Sequence, residues 1–285
     1  MLGVTAATFR LTLPSFATAI GVCIGLYRHG ASHIKGGEDF NSLIYMGIGA
    51  LDARTFVPSP ITGTGPASLL QNVIVANAAQ LIFSLIFFAY NSLVTTMALA
   101  TEWNSFAACR KGLRLSGGTP VGAQRSTYRL QLPYRVALPL IAVSGTLHWL
   151  ISQSIFLVYL EAYTPTTRYD GTEHSGPTTN GWPPDIITCG WSPPAVLAAV
   201  ILGAVMLLLL VGFGLQRLPT AMPVAGSCSA AVAAACHPPA AGQQERIWEK
   251  EVMWGATLDP EGTKPGHCSF SSGTVTYPVR NGRYT

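Results

Sequence analysis

Five side chains in the last third of the chain carry the most reactive chemistry. Cys228, Cys236, His237, His267 and Cys268 place thiol and imidazole donors within about forty residues, the donor types that zinc takes in tetrahedral sets. Their spacing matches no standard finger. Seven residues separate Cys228 from Cys236, where a zinc-ligand pair has about two to four. On a strand, the neighbours His267 and Cys268 would point to opposite faces, so they would not form a dyad. A pair between Cys236 and His267 would need folding that the sequence does not reveal. Close under an apolar segment, Cys228 or Cys236 is alternatively an acylation site.

A second set lies within apolar stretches. Asn77, Gln80, Ser84, Asn91 and Thr95 recur at helical spacing on one face, and Ser144, His148 and Ser152 recur every four residues with Gln153 beside them. Polar groups in a membrane span face protein or water, because lipid leaves them unpaired. Two readings follow. Facing stripes would line a path for a solute or proton, with His148 as the titrating group. Alternatively, they would hydrogen-bond one helix to the next, with Gly145 permitting close approach. Neither stripe holds a carboxylate, which favours the second.

The third set is basic. Arg110, Lys111, Arg114, Arg125 and Arg129 stand against the single acid Glu102. Beside a membrane, such cations attract anionic lipid head groups at about 1 kcal/mol each, and they also fix orientation. Ser116, Ser126, Thr127 and Tyr128 lie among them, where phosphorylation would reverse the local charge. Gly117-Gly118-Thr119-Pro120 lacks the lysine of a phosphate-binding loop. No Gly-x-Ser-x-Gly elbow, His-Glu-x-x-His or Asp-rich metal motif is present. The expectation is therefore a protein that is not an enzyme and needs no cofactor.

The elements that must position these groups are set by charge. Of 285 residues, 49% are hydrophobic and 11% charged, against about 25% charged in a soluble domain. Forty-seven residues between Arg54 and Glu102, 25 between Arg135 and Glu161, and 31 between Asp185 and Arg217 carry no formal charge. These runs exclude a soluble enzyme, a disordered tail protein and a secreted disulfide scaffold. A net charge of +4 from 17 basic and 13 acidic residues is too small and dispersed for nucleic acid.

Crossing a bilayer takes about 20 apolar residues. Four segments qualify, at 11–27, 73–99, 136–160 and 195–216, and the expected fold is an all-α membrane domain over 1–216. The first is short, contains Pro14 and also reads as a signal peptide. The second exceeds the bilayer, so it tilts or projects into water. Lys and Arg near span ends stay inside, so the loop Glu102–Leu132 is cytoplasmic. The loop Glu161–Trp191, with Arg168 against Glu161, Asp170, Glu173 and Asp185, is external. Four spans leave both termini cytoplasmic, and the plasma membrane is favoured over internal membranes. A mostly irregular tail, 217–285, follows. Within it Ala221–Cys236 reads as a short interfacial helix, which would move the tail to the other side if it crossed. Gly266–Val279 reads as a short strand or hairpin.

Several blocks carry a resemblance. In order they are ANAAQLIFSLIFFAYNSL (76–93), EWNSFAACRKGLRLS (102–116), QRSTYRLQLPYR (124–135), HWLISQSIF (148–156), MPVAGSCSAAVAAACHPP (222–239) and GHCSFSS (266–272). Together they resemble a large family of fungal multi-span membrane proteins known by a domain of unknown function. The resemblance covers most of the chain from about Ala67. It implies that this chain corresponds to the C-terminal half of longer members or to a shortened form of them. Where those read Asn-Leu-Pro-Gln, this chain has Asn77-Ala78-Ala79-Gln80, which removes an expected helix kink. The family brings no activity, cofactor or catalytic residue. The leading expectation is a non-enzymatic membrane organising or signalling component, with the lipid bilayer as its partner. A transporter or channel subunit using Asn77, Asn91 and His148 is the alternative, and a thiol- or zinc-dependent membrane enzyme the third.

Overall fold

Four helices carry the apolar runs. In the computed structural model they are α1 (Val4–His33), α3 (Pro66–Asn104), α4 (Tyr134–Ser154) and α5 (Pro193–Leu215), with the short α2 (Phe40–Ile44) between the first two. The structure describes residues 4–34, 40–57, 63–128, 130–161, 163–167, 173–177, 186–216, 218, 220, 222–226, 228–237, 246–258, 265–278 and 284. Arg129, Arg168, Asp170, Asp185 and Val279 lie outside them.

All four helices are long and apolar enough to cross a membrane. Their side chains reach outward: Phe88 is 76% exposed and Leu208 71%. At about 1.5 Å per residue, the 39 residues of α3 extend about 58 Å, well beyond a hydrocarbon core of about 30 Å. Helix starts follow local chemistry. Pro66 and Pro193 open α3 and α5, where the missing N–H costs nothing. Ser192 caps α5, its carbonyl accepting from Val196 N at 3.0 Å.

The fold is not all-α. The third apolar run, expected to be helical through residue 160, leaves the helix at Ser154. The following Ile155–Leu160 is a strand, β4, paired antiparallel with β7 (Ile186–Trp191) from Ile155↔Trp191 to Leu160↔Ile186. IFLVYL is made of β-branched, aromatic and leucine residues, and it pairs with the equally β-prone IITCGW. The remaining 21 helical residues still span about 32 Å. Between these strands, β5 (Tyr163–Thr167) and β6 (Glu173–Pro177) form a further antiparallel pair.

Regular elements also occur in the tail, among them the strand expected within Gly266–Val279. β8 (Glu251–Leu258) and β9 (Pro265–Ser271) pair antiparallel, and β8 also pairs with β1 (Lys111–Gly112) of the basic loop. In the same loop β2 (Arg114–Leu115) lies parallel to β3 (Arg125–Ser126). Among the described residues of Ala221–Cys236, the helix is the eight-residue α6 (Ser229–Cys236), about 12 Å long and too short to cross.

The chain divides into two compact units. One, here the loop-and-tail unit, comprises Met1–Thr12, Ala89–Leu140 and Leu209–Thr285; the other comprises Leu13–Phe88 and Ile141–Leu208. The core of the first is Phe106, Ala107, Met222, Ala235, Val252, Trp254 and Phe270, with Trp103, Leu113 and Cys268 packed against it. Phe106 and Trp103 both meet Phe270 edge-on, with centroids 5.4 and 5.3 Å apart.

Candidate functional site

The basic loop and the Cys/His tail form one site. Glu102, near the end of α3, is its hub. Its Oε1 accepts Arg114 Nε at 2.5 Å and faces Arg125 Nη2 at 3.6 Å. Arg114 and Arg125 are register partners across β2 and β3. Like charges side by side on a sheet repel, and the shared carboxylate offsets that repulsion. Arg114 also donates to Ser126 O at 2.9 Å and to the Tyr128 hydroxyl at 2.6 Å, and its guanidinium lies 3.9 Å from the Tyr128 ring centroid. Arg125 Nε donates to Gly112 O at 3.0 Å.

The other two described cations bind the tail and the helix end. Arg110 donates to Ser272 O at 2.5 Å and Gly273 O at 2.6 Å. Lys111 donates to the Ser105 hydroxyl and sits over the Phe106 ring, 5.3 Å from its centroid. Each of Arg110, Lys111, Arg114 and Arg125 thus holds a backbone carbonyl, a hydroxyl or Glu102 within its own unit. Charged hydrogen bonds of this kind contribute about 1.5–3 kcal/mol each when screened from water. The loop's cations build the unit, whatever else they attract.

Beyond β9 the chain crosses to the opposite edge of β8, where Thr276 bridges Ala256. It passes over Gly255, where a Cβ would come 2.9 Å from Thr276 O and 3.0 Å from Val275 Cβ. Only glycine leaves that passage open. The two carbonyls held by Arg110 lie just before it.

The tail's five soft ligands come to neighbouring elements without converging. His267 and Cys268 both sit on β9; Cys236 ends α6 and His237 follows it. The His237 and His267 rings lie 5.9 Å apart, and His267 Nε2 is 2.9 Å from Ala234 O. Among the described residues, no three His, Cys, Asp or Glu side chains are grouped to hold a metal ion. Cys228 and Cys236 are exposed. Cys268 forms part of the wall of a cavity of about 230 Å³ with Met222, Ala235 and Trp254. Burial pushes the Cys268 thiol above its ordinary pKa, so it is protonated at neutral pH and is a weak nucleophile.

The described residues of the polar stripes make mostly local contacts. On α3, Asn77 is exposed and donates to Val73 O at 2.8 Å, while Ser84 donates to Gln80 O at 2.8 Å. Gln80 is half-buried and Asn91 exposed. On α4, His148 is half-buried with its ring edge-on to Phe83, centroids 4.9 Å apart. The Gln153 side-chain oxygen rests against Gly49.

A different polar residue is buried on α3. Asn72 is fully enclosed; its Oδ1 accepts from the Cys189 thiol at 3.2 Å and its Nδ2 donates to Ser68 O at 2.9 Å. Nearby, the Ser192 hydroxyl receives Gly49 N at 3.0 Å and donates to Gly47 O at 3.2 Å. At the far end of α3, Asn104 is 1% exposed with both side-chain polar atoms unpartnered among the described residues. The sequence signalled Glu102 as the lone acid facing five bases, but nothing in it singled out Asn72 or Asn104.

Together these features define a helical chain with four helices long and apolar enough to cross a membrane, whose second connecting loop and tail fold into one small unit. The chain belongs to a family described as a domain of unknown function (DUF8419), matched over residues 3–262. That match begins one residue before α1, upstream of the quoted blocks, and ends in the sequence between β8 and β9. No curated protein and no solved structure matches the chain.

Proposed function

We propose that the protein is a four-span integral membrane protein of fungal type that organises or relays through a cytoplasmic loop-and-tail unit, without catalysing a reaction. One observation carries this reading: the basic loop and the tail, joined by β1–β8 pairing and the Arg110 bonds, form a folded body at the helix ends. A body of this kind presents surface to partners. The basic loop is its cytoplasmic marker, and the resemblance of the sequence blocks supports the fungal and multi-span parts of the reading.

The alternatives draw less support. Asn77 and Asn91 are exposed and His148 lies on Phe83, which does not favour a polar path through the helices. The raised Cys268 thiol and the dispersed tail ligands do not favour a thiol or zinc enzyme.

The test has two arms. Single-cysteine variants retaining Cys109 or Cys236, both exposed, are treated with a membrane-impermeant maleimide in intact and permeabilised cells. Labelling only after permeabilisation supports the orientation; labelling from outside overturns it. Proximity labelling then compares wild type with Phe270→Ala, which removes the centre of the loop-and-tail core. Protein neighbours lost in the variant support the organising role. Solute flux into vesicles that His148→Ala abolishes would replace it with transport.

A further inference from the structure

Within the second unit, two side chains of metal-ligating type stand together. His29 and His33 are four residues apart on α1, so they share a helix face one turn apart. Their ring centroids are 4.6 Å apart and both residues are exposed. They follow Arg28, which closes the uncharged run that begins after Arg10, and so stand beyond the apolar part of the helix.

The backbone beneath them is held. The Trp191 indole covers Gly30 so closely that a Cβ would overlap it. Tyr27 meets the same indole edge-on, with centroids 6.0 Å apart, and Ile34 is 6% exposed. Packing thus fixes one side of the helix end while the two imidazoles remain free to turn.

We propose that His29 and His33 form a bidentate site for a late first-row divalent metal ion, with water completing the coordination. Two imidazoles at i and i+4 on one helix face present adjacent nitrogen donors to a single ion. Imidazole suits copper, nickel and zinc, and the Irving–Williams order places copper(II) first among them. Rotation about the side-chain bonds converts the present 79° ring arrangement into a converging one, and solvent exposure leaves room for it. The site belongs to a different unit from the tail cysteines and rests on neither the orientation nor the organising role proposed above.

Titration of the full-length protein in detergent with copper(II) alone, followed by electron paramagnetic resonance, tests it. One saturable equivalent with two nitrogen ligands is expected. His29→Ala and His33→Ala should each weaken it by about 100-fold or more, because a chelate becomes a single-donor contact. His33→Gln should lose copper equally while keeping the wild-type melting temperature. His237→Ala and His267→Ala should bind copper as wild type does. Absence of saturable binding, binding unchanged in both α1 variants, or loss of the tight equivalent in His267→Ala would each overturn the proposal.

Discussion

The thiol of Cys189 donates to the side-chain oxygen of Asn72 across 3.2 Å, with both residues closed to solvent. This bond ties β7 to α3 through a pair that the sequence leaves unconnected. Burial also raises the Cys189 pKa above its ordinary value. Aqueous maleimide should therefore leave Cys189 unmodified in the native protein and modify it after denaturation. Asn72→Ala leaves the thiol without its acceptor and should cost about 1–3 kcal/mol. A lower melting temperature together with faster Cys189 alkylation would report this; an unchanged alkylation rate would show that the pair does not control access.

Glu102→Gln removes the carboxylate between Arg114 and Arg125. The two guanidinium groups would then face each other across β2 and β3 uncompensated. Both ends of the Glu102–Arg114 pair retain about a fifth of their side-chain exposure, so solvent screens part of the effect. Destabilisation of the loop-and-tail unit by about 1–2 kcal/mol is expected. Limited proteolysis should show earlier cleavage between residues 113 and 126, and wild-type cleavage kinetics would remove Glu102 from its role as hub.

Gly255→Val should displace the crossing segment, because its Cβ meets a backbone oxygen and the Val275 side chain. Phe270→Ala attacks the same unit from its core and should cost about 3–5 kcal/mol. The two differ in signature. The glycine variant should free residues 274–276 to hydrogen exchange while β8 stays protected; the phenylalanine variant should expose β8 and β9 together.

Cys268 gives a pH dependence of definite sign. Its folded pKa lies above that of an ordinary thiol because burial disfavours the thiolate. The unfolded chain releases its proton first as pH rises, so the contribution is intact below the unfolded pKa and is lost as pH climbs through the folded one. Stability of the loop-and-tail unit should therefore fall at alkaline pH, and Cys268→Ala should flatten that part of the profile. An identical alkaline slope in the variant would assign the loss to other groups.

The apolar helices were legible because charge-free runs state their own length; α5 differs from the sequence expectation by two residues at its start and one at its end. The β-structure was less so. IFLVYL continues an apolar run without a break, and only its partner Ile186–Trp191, some thirty residues on, turns it into a strand. β1 has two residues and β2 two, too few for any periodicity to show. The polar stripe on α3 is visible from spacing alone, yet Asn77 and Ser84 spend their hydrogen bonds on their own helix. Asn72, one turn earlier than the stripe, is the buried one because Cys189 arrives there from a distant strand. Cysteines and histidines dominate the tail's sequence signal, while its fold comes from Val252, Trp254 and Phe270, ordinary alternating strand residues.

The β1–β8 seam also fixes an order of events during synthesis. Lys111 and Gly112 emerge from the ribosome about 140 residues before Val252 and Glu251, their partners, a delay of roughly 7–28 s at ordinary elongation rates. Throughout that interval Phe106 and the β1 edge have no sheet to join, and Arg110 lacks the carbonyls of Ser272 and Gly273. The loop-and-tail unit therefore closes only after the last long helix has left the ribosome. A nascent chain halted before β8 carries an open, aromatic, arginine-flanked edge that a folding helper or a quality-control protease can recognise.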